Sequence, residues 1–331
     1  MDNLFSDAVR QVLAAQCTPA VVRQIEAGGA PAVLWQHIEA AGFTDALVPE
    51  AQGGAALSLA EVYPVLELCG EYAVPVPLAE TLLARAVLAG AGVPIPQGSI
   101  AIARARATEA GGLVCDTVQC GRVADWVLVS TGAQAVLLPA AQAAQTPASF
   151  ALDAGLAWAP SAVAAGTPLP AATDVQLLLA CANAAQLAGA LLAVFKRTLQ
   201  YANDRNQFGR PIGKFQAIQH QLSVMAEHAF AARMAAQIGC RSATAQPERL
   251  RVAVAKARTS EAALEVAALS HSIHGAIGFT AEFDLQLFTR RLHAWRQAGG
   301  SESYWHDVVG NAAVHHTGPA LDLIRTATDV A

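Results

Sequence analysis

Residues 201–219, YANDRNQFGRPIGKFQAIQ, carry side chains suited to holding an anion. Gly209, Pro211 and Gly213 punctuate the chain between an apolar helical pattern and a second one that opens at Lys214 or Phe215. Arg205 and Gln207 therefore belong on a tight turn between helices. A guanidinium makes fixed, bidentate hydrogen bonds to phosphate, and N–H groups at a helix start add partial positive charge. The residues alone equally allow an arginine that ties one helix end to another. A second constellation is His274-Gly275-Ala276-Ile277-Gly278-Phe279-Thr280-Ala281-Glu282, a glycine-punctuated turn between helices. Small residues there let a backbone approach a ligand closely, although a Schellman-type helix end would use the same glycines. His271 and His274 share a helix face and His315 and His316 are adjacent, but no carboxylate or cysteine completes a metal set, so no metal is expected. Cys115 and Cys120 read as two ordinary thiols.

Both turns need rigid elements around them. Thr173 with Gln176 can form a capping box, and an apolar helix runs from there to about Asn203. The next helix spaces Phe215, Ile218, Leu222, Met225, Ala229 and Ala232 three and four apart, and after Pro247 a third repeats the pattern with Ala262, Val266, Leu269 and Ile273. Segments from Glu282 and from about Ser301 supply more, so the C-terminal part reads as a four-helix bundle. Near the start, Leu34, Trp35, Ile38 and Ala41 recur at helical spacing before Gly42, Pro49 and Gly53-Gly54 interrupt, and another helix covers about 58–70. Between them SIAIAR, LVC, WVLVS and AVLLP are short apolar runs divided by Gly and Asp, the texture of strands. The expected class is mainly α with a small β-domain: an N-terminal helical domain over 1–97, a β-barrel or sandwich over 98–168, and a C-terminal four-helix bundle over 169–331.

Composition narrows the function classes. A chain of 331 residues with 54% hydrophobic and 14% charged residues can bury a sizeable core and argues for an oligomer. A net charge of -5 and a pI near 6.0 leave no basic excess for nucleic acid. The opening MDNLFSDAVRQ lacks the basic start and apolar core of a secretory signal, and six cysteines are scattered without a C-x-x-C pair, so a reduced, cytoplasmic protein is expected. The run 176–195 is nearly long enough to span a membrane, but Gln176, Asn183 and Gln186 make it a buried bundle helix instead.

The string Arg205-x-Gln207-Phe208-Gly209-x-Pro211-Ile212-x-x-Phe215-Gln216-x-x-Gln219 resembles the signature of the acyl-CoA dehydrogenase family. The resemblance implies that Arg205 lies on the pyrophosphate of an FAD across a subunit interface, with Gln207, Phe208 and Gln216 in the cofactor set. The turn at 274–282 is similar to the family's Q-x-x-G-G-x-G-[FY]-x-x-E motif, which reaches the neighbouring subunit's FAD. That adds Ser272, Gly275, Ala276 and Gly278, with Ser272 standing where the family has Gln and Ala276 where it has the second Gly. The phrase Ala41-Gly42-Phe43, Leu47-Val48-Pro49-Glu50 and Gly53-Gly54 resembles the helical domain that closes one side of the acyl pocket. The implied β-domain is normally longer. Of its Thr-Glu-Pro-x-x-Gly-Ser-Asp loop only Thr108-Glu109-Ala110-Gly111 has a likeness here, and the Trp/Ile-Thr-Asn strand has no counterpart.

The implied reaction removes a proton beside a thioester carbonyl while a hydride goes to flavin, and it needs a carboxylate within reach of that carbon. At the family's usual base position this chain has Gly299. At the alternative one, on the helix before the Arg205 turn, it has Leu179, beside Ala180 where many members carry Arg. Glu302 is the remaining candidate for a displaced base, against the plainer role of an acid at a helix start. Glycine at 299 also opens space for a bulkier acyl group. Three readings follow from the resemblance. The chain is an FAD enzyme that turns an acyl-CoA into the 2,3-enoyl-CoA as a homodimer or tetramer and passes electrons to an electron-transferring flavoprotein. Alternatively it is a non-catalytic, FAD-supporting subunit of a heteromer with a full-length acyl-CoA dehydrogenase, of the kind that acts on steroid side chains. Or it binds acyl-CoA or flavin without dehydrogenating anything.

Overall fold

The computed structural model describes residues 4–170 and 173–329, so the first three residues of the acidic start lie outside it. The chain opens with helices α1 (Leu4–Gln16), α2 (Pro19–Glu26), α3 (Ala32–Ala40), α4 (Leu59–Glu71) and α5 (Leu78–Gly90). Strands follow: β1 (Ile100–Arg104), β2 (Arg106–Ala107), β3 (Leu113–Val118), β4 (Trp126–Ser130), β5 (Ala135–Pro139), β6 (Ala144–Pro147) and β7 (Ala154–Trp158), then a short α6 (Pro160–Ala165) and β8 (Thr167–Leu169). The rest is α7 (Val175–Asp204), a small hairpin of β9 (Asn206–Gln207) and β10 (Arg210–Pro211), and helices α8 (Gln216–Gly239), α9 (Arg249–His274), α10 (Leu285–Gln297), α11 (Glu302–His315) and α12 (Ala320–Thr328). The architecture is the mainly α fold with a middle β region that the sequence implied.

Two compact units emerge, and they are interleaved along the chain. One comprises residues 1–66, 74–182 and 242–247; the other comprises 67–73, 183–241 and 248–331. The first thus holds both the N-terminal helices and the strands. Its strands form two four-stranded sheets, β1-β4-β5-β8 and β2-β3-β7-β6, with β1 and β4 parallel and the remaining pairs antiparallel. Alternation along WVLVS turns Val127 and Val129 into a shared core with Leu113, Cys115, Val136, Leu138, Leu156 and Trp158. In the same unit Arg85, buried on α5, joins Glu39 and Asp45 at 2.9 and 3.0 Å and donates to the carbonyl of Gly98.

The second unit is the bundle. Leu222, Met225, Ala229 and Ala232 are buried on α8, and Ala262, Val266 and Ile273 on α9, the stripes read from the sequence. Alanine and glycine let the helices approach closely. A Cβ at Gly239 would stand 2.5 Å from that of Ala255. Tighter still is the crossing of the last turn of α4 with α7: a Cβ at Gly189 would stand 1.9 Å from the carbonyl oxygen of Glu67, and one at Gly70 would stand 1.8 Å from that of Gln186. Only glycine permits backbone to meet backbone there. Arg233 on α8 closes the crossing with two bonds to Glu67 at 2.8 and 3.2 Å.

Two expectations about α7 are decided by its environment. Its most apolar 18-residue window has a mean hydropathy of 1.9 and is 94% buried within the protein, so it is a core helix. Its N-cap is Asp174, whose Oδ1 accepts from Leu177 N at 3.0 Å, and not the expected pair of Thr173 and Gln176. Gln176 instead accepts from Arg104 at 3.1 Å. An acidic side chain one residue nearer the helix wins the first free N–H groups.

Candidate functional site

The first motif folds as a two-residue hairpin. Arg205 N donates to Tyr201 O at 2.9 Å, the last bond of α7, and Ile212 N donates to Arg205 O at 2.8 Å, which closes the β9–β10 pair. Phe208 and Gly209 are the two turn residues, with φ of 51° and 80°, the left-handed backbone that such a tight turn demands. Gly209 adopts it freely; Phe208 is strained there, and its ring is 92% exposed. Arg210 stacks over Phe215 at 4.3 Å, and Phe208 meets the same ring edge-on at 6.1 Å. Arg205 and Gln207 are exposed on this turn. The Arg205 guanidinium has no partner among the described residues, whereas the neighbouring Arg210 is occupied. Gln216, also exposed, opens α8.

The second motif ends α9. Gly275 leaves the helix at φ 65° and ψ -146° while its N–H still reaches His271 O, and a short 3-10 turn carries the chain to Phe279. A Cβ on Gly275 would meet nothing within 4 Å, so this face is open to an approaching group. Gly278 has a different job: it is buried, and a Cβ there would press on His274, His271 and Leu285 at 3.0 to 3.2 Å. Ser272 and Ala276 are exposed, and Ser272 Oγ lies 3.5 Å from Gln221 Nε2.

Tyr201 brings the two motifs to one end of the bundle. Its hydroxyl donates to His274 O at 3.4 Å, and its ring stacks on the His274 imidazole at 4.3 Å with 23° between the planes. Phe283 flanks both rings, and Phe279 stacks on His271 at 4.1 Å. Burial holds His271, His274 and His293 below the usual imidazole range, so they are neutral at pH 7. The free guanidinium of Arg205 and the open backbone at Gly275 fit a phosphate or pyrophosphate group.

The implied base position is closed to proton removal from carbon. Gly299 and Gly300 both take left-handed φ values, 70° and 108°. Trp305 Nε1 donates to Gly299 O at 3.0 Å. Lys256, fully buried, donates to Arg296 O at 2.9 Å, Gly300 O at 3.0 Å and Ser260 Oγ at 2.9 Å. Burial pushes the Lys256 pKa down to about 7, against the upward pull of Glu302. Glu302 itself is ion-paired with Arg296. Burial raises its pKa, but the bond to its own backbone N–H, the Arg296 bond and the charges of Arg296 and Lys256 outweigh that, and the net shift is downward. A carboxylate held this way is a weak base toward a carbon acid. The structure thus gives Glu302 the role of an ion-pair partner and argues against a displaced base. Leu179 and Ala180, at the alternative position, are buried.

Lys256 is the residue that sequence reasoning missed. Its only signal is a single cation inside the alanine-rich run VAVAKARTSEAALEV, which reads as a solvated position on a helix. All six cysteines are buried and none is in a disulfide, and burial pushes the Cys115 thiol up to about 12.

Known proteins resemble this chain over most of its length. The acyl-CoA dehydrogenase C-terminal domain matches residues 171–313, and the acyl-CoA dehydrogenase N-terminal domain matches residues 2–92. Acyl-CoA dehydrogenase IpdE2 of Mycobacterium tuberculosis (strain ATCC 25618 / H37Rv) is 32% identical over 299 residues, covering 89% of this chain and 92% of that protein. IpdE2 of Mycolicibacterium smegmatis is 30% identical over 304 residues, 90% of this chain and 94% of the relative. Among solved structures, the ChsE4-ChsE5 complex from Mycobacterium tuberculosis superposes with a TM-score of 0.81 at 22% identity, over 95% of this chain and 97% of that one. The Tcur3481-Tcur3483 steroid ACAD does so with a TM-score of 0.79 at 23% identity, over 92% and 95%. At these identities the superpositions establish the fold.

Proposed function

Because the chain belongs to the acyl-CoA dehydrogenase family, we propose that it is the supporting subunit of a heteromeric acyl-CoA dehydrogenase. In this reading the Arg205 hairpin and the Gly275 turn hold the pyrophosphate of an FAD, and a full-length relative supplies the carboxylate base. One observation carries it: position 299 is a glycine whose carbonyl is held by Trp305, while the nearby acid, Glu302, is held by Arg296. A chain that keeps its anion-binding turns and lacks a free carboxylate at the base position is suited to chemistry completed by another chain.

The bound flavin would accept the hydride of a 2,3-dehydrogenation. This chain's own residues bind and orient. Arg205 offers bidentate donors to the pyrophosphate, Gln207 and Gln216 add neutral donors on the same surface, and Gly275 admits the close approach of a phosphate oxygen to backbone. The exposed ring of Phe208 covers the adjoining partner surface and excludes water from it. The substrate class is a bulky acyl-CoA thioester such as a steroid side chain, a reading favoured by the like fold of two complexes, one of them a steroid ACAD. Electrons pass to an electron-transferring flavoprotein, and the complex works in the cytoplasm.

The test is the visible spectrum of the purified protein, alone and co-expressed with a full-length relative, followed by anaerobic addition of an acyl-CoA panel. The expected result is a colourless lone chain and a yellow complex that a bulky acyl-CoA bleaches. A lone chain that is yellow and bleached by substrate overturns the supporting role.

A further inference from the structure

This inference rests on reading the Arg205 hairpin and the Gly275 turn as one pyrophosphate cradle. We propose that Tyr201 and His274 are positioning residues, a latch that holds the two turns in register. Each turn is open at the point where it leaves its helix. The hairpin pivots on a two-residue turn of exposed residues, and Gly275, at φ 65° with open space around its α-carbon, has little steric resistance to rotation. The direction of each must therefore be fixed from outside.

Tyr201 does this from both sides. Its carbonyl takes the N–H of Arg205, the residue that starts the hairpin, at 2.9 Å. Its hydroxyl grips the carbonyl of His274 at 3.4 Å, the peptide from which Gly275 departs. Its ring lies flat on the imidazole of that same residue. His274 in turn is fixed by Nδ1, which donates to Ser270 O at 2.8 Å one turn earlier in α9. That bond leaves Nε2 as the lone-pair nitrogen, buried without a hydrogen-bond partner, so the ring is held by packing between Tyr201 and Phe283 and not by a second polar contact. Positions 201 and 274 are thus the hinge points of the two motifs, and one tyrosine joins them.

Hydrogen exchange on the full chain tests the latch without flavin. Tyr201→Leu removes both stack and hydroxyl. Amides of residues 205–212 and 275–280 are then expected to exchange about tenfold faster, in step with each other, while the α8 and α9 amides facing one another in the bundle stay protected. Tyr201→Phe keeps the stack and is expected to recover most of the protection, with a residual increase of about threefold confined to the glycine turn. In the co-purified complex the apparent affinity for FAD should fall about tenfold in Tyr201→Leu and return in Tyr201→Phe, with the melting temperature nearly unchanged in both. The proposal is overturned when in Tyr201→Leu only one of the two segments responds, when neither does, or when Tyr201→Phe behaves like Tyr201→Leu. An Arg205→Ala complex that keeps its FAD would sink the cradle reading instead, and the exchange data would still decide the latch.

Discussion

Replacing Lys256 by methionine separates the burial of a cation from the bonds it makes. The folded protein holds this lysine at a pKa of about 7, against 10.5 for an ordinary lysine, with burial as the main cause. Between those values the unfolded chain keeps the proton that the folded chain has released, so folding stability rises with pH across the window. The slope climbs to about 1.4 kcal/mol per pH unit above pH 7, which makes about 2 kcal/mol between pH 7 and pH 9 and about 5 kcal/mol once both titrations are complete. The surroundings tolerate both forms. The ammonium donates to Arg296 O, Gly300 O and Ser260 Oγ; the neutral amine can still donate to the two carbonyls and accept from the Ser260 hydroxyl. Lys256→Met loses the titration and leaves two carbonyls short of a donor, at about 1–3 kcal/mol each. Relief of the buried charge offsets that loss near pH 7, where the two proteins should have similar stability. At pH 9 the wild type should be the more stable by about 2 kcal/mol. Urea unfolding followed by tryptophan fluorescence at pH 7, 8 and 9 measures the difference. A gap between wild type and variant that stays constant over this range would show that the ammonium remains charged in the folded protein, and the burial argument would be wrong.

Gly189→Ala forces a methyl group to 1.9 Å from Glu67 O and must part α4 from α7. A loss of at least about 3 kcal/mol is expected in thermal melting, and a melting point unchanged to within a degree or two would refute the close crossing. Arg205→Ala, at an exposed and unpartnered guanidinium, should leave the melting temperature of the lone chain alone and cost the complex most of its FAD, read as the ratio of flavin to protein absorbance. Glu302→Gln breaks the pair with Arg296 and should lower stability by about 1–3 kcal/mol without changing substrate bleaching of the complex; loss of bleaching would restore Glu302 as a base.

The turns at this end of the bundle were legible because glycine and proline write turns into a sequence. Gly209 and Pro211 mark the tight turn under Arg205, and Gly275 the break after α9. The strands were equally plain, since short apolar runs between Gly and Asp leave no room for a helix. What could not be read were partners supplied by backbone. The acceptors of Lys256 are carbonyls 40 and 44 residues away, and a carbonyl carries no residue type. For the same reason Gly70 and Gly189 look like weak points in helices, when each marks the spot where another chain segment lies against the backbone. The tie of Glu302 to Arg296 needs the bend at Gly299-Gly300, whose direction depends on Lys256 and Trp305. The choice of Asp174 over Thr173 as the cap was a one-residue matter that spacing alone did not resolve.

The interleaving of the two units has a bearing on how the polypeptide is made. Residues 67–73 belong with the bundle, yet the ribosome delivers them before residues 74–182, all of which go to the other unit, and long before 183–241. During synthesis the last turn of α4 must wait, its glycine face unmatched, until α7 emerges and Gly189 can settle against it. Neither unit corresponds to a contiguous stretch that a protease cut or a gene fusion could set free, so splitting the chain anywhere between 74 and 182 strands one wall of the bundle on the wrong fragment. The bundle therefore cannot be finished until the chain beyond residue 182 is made.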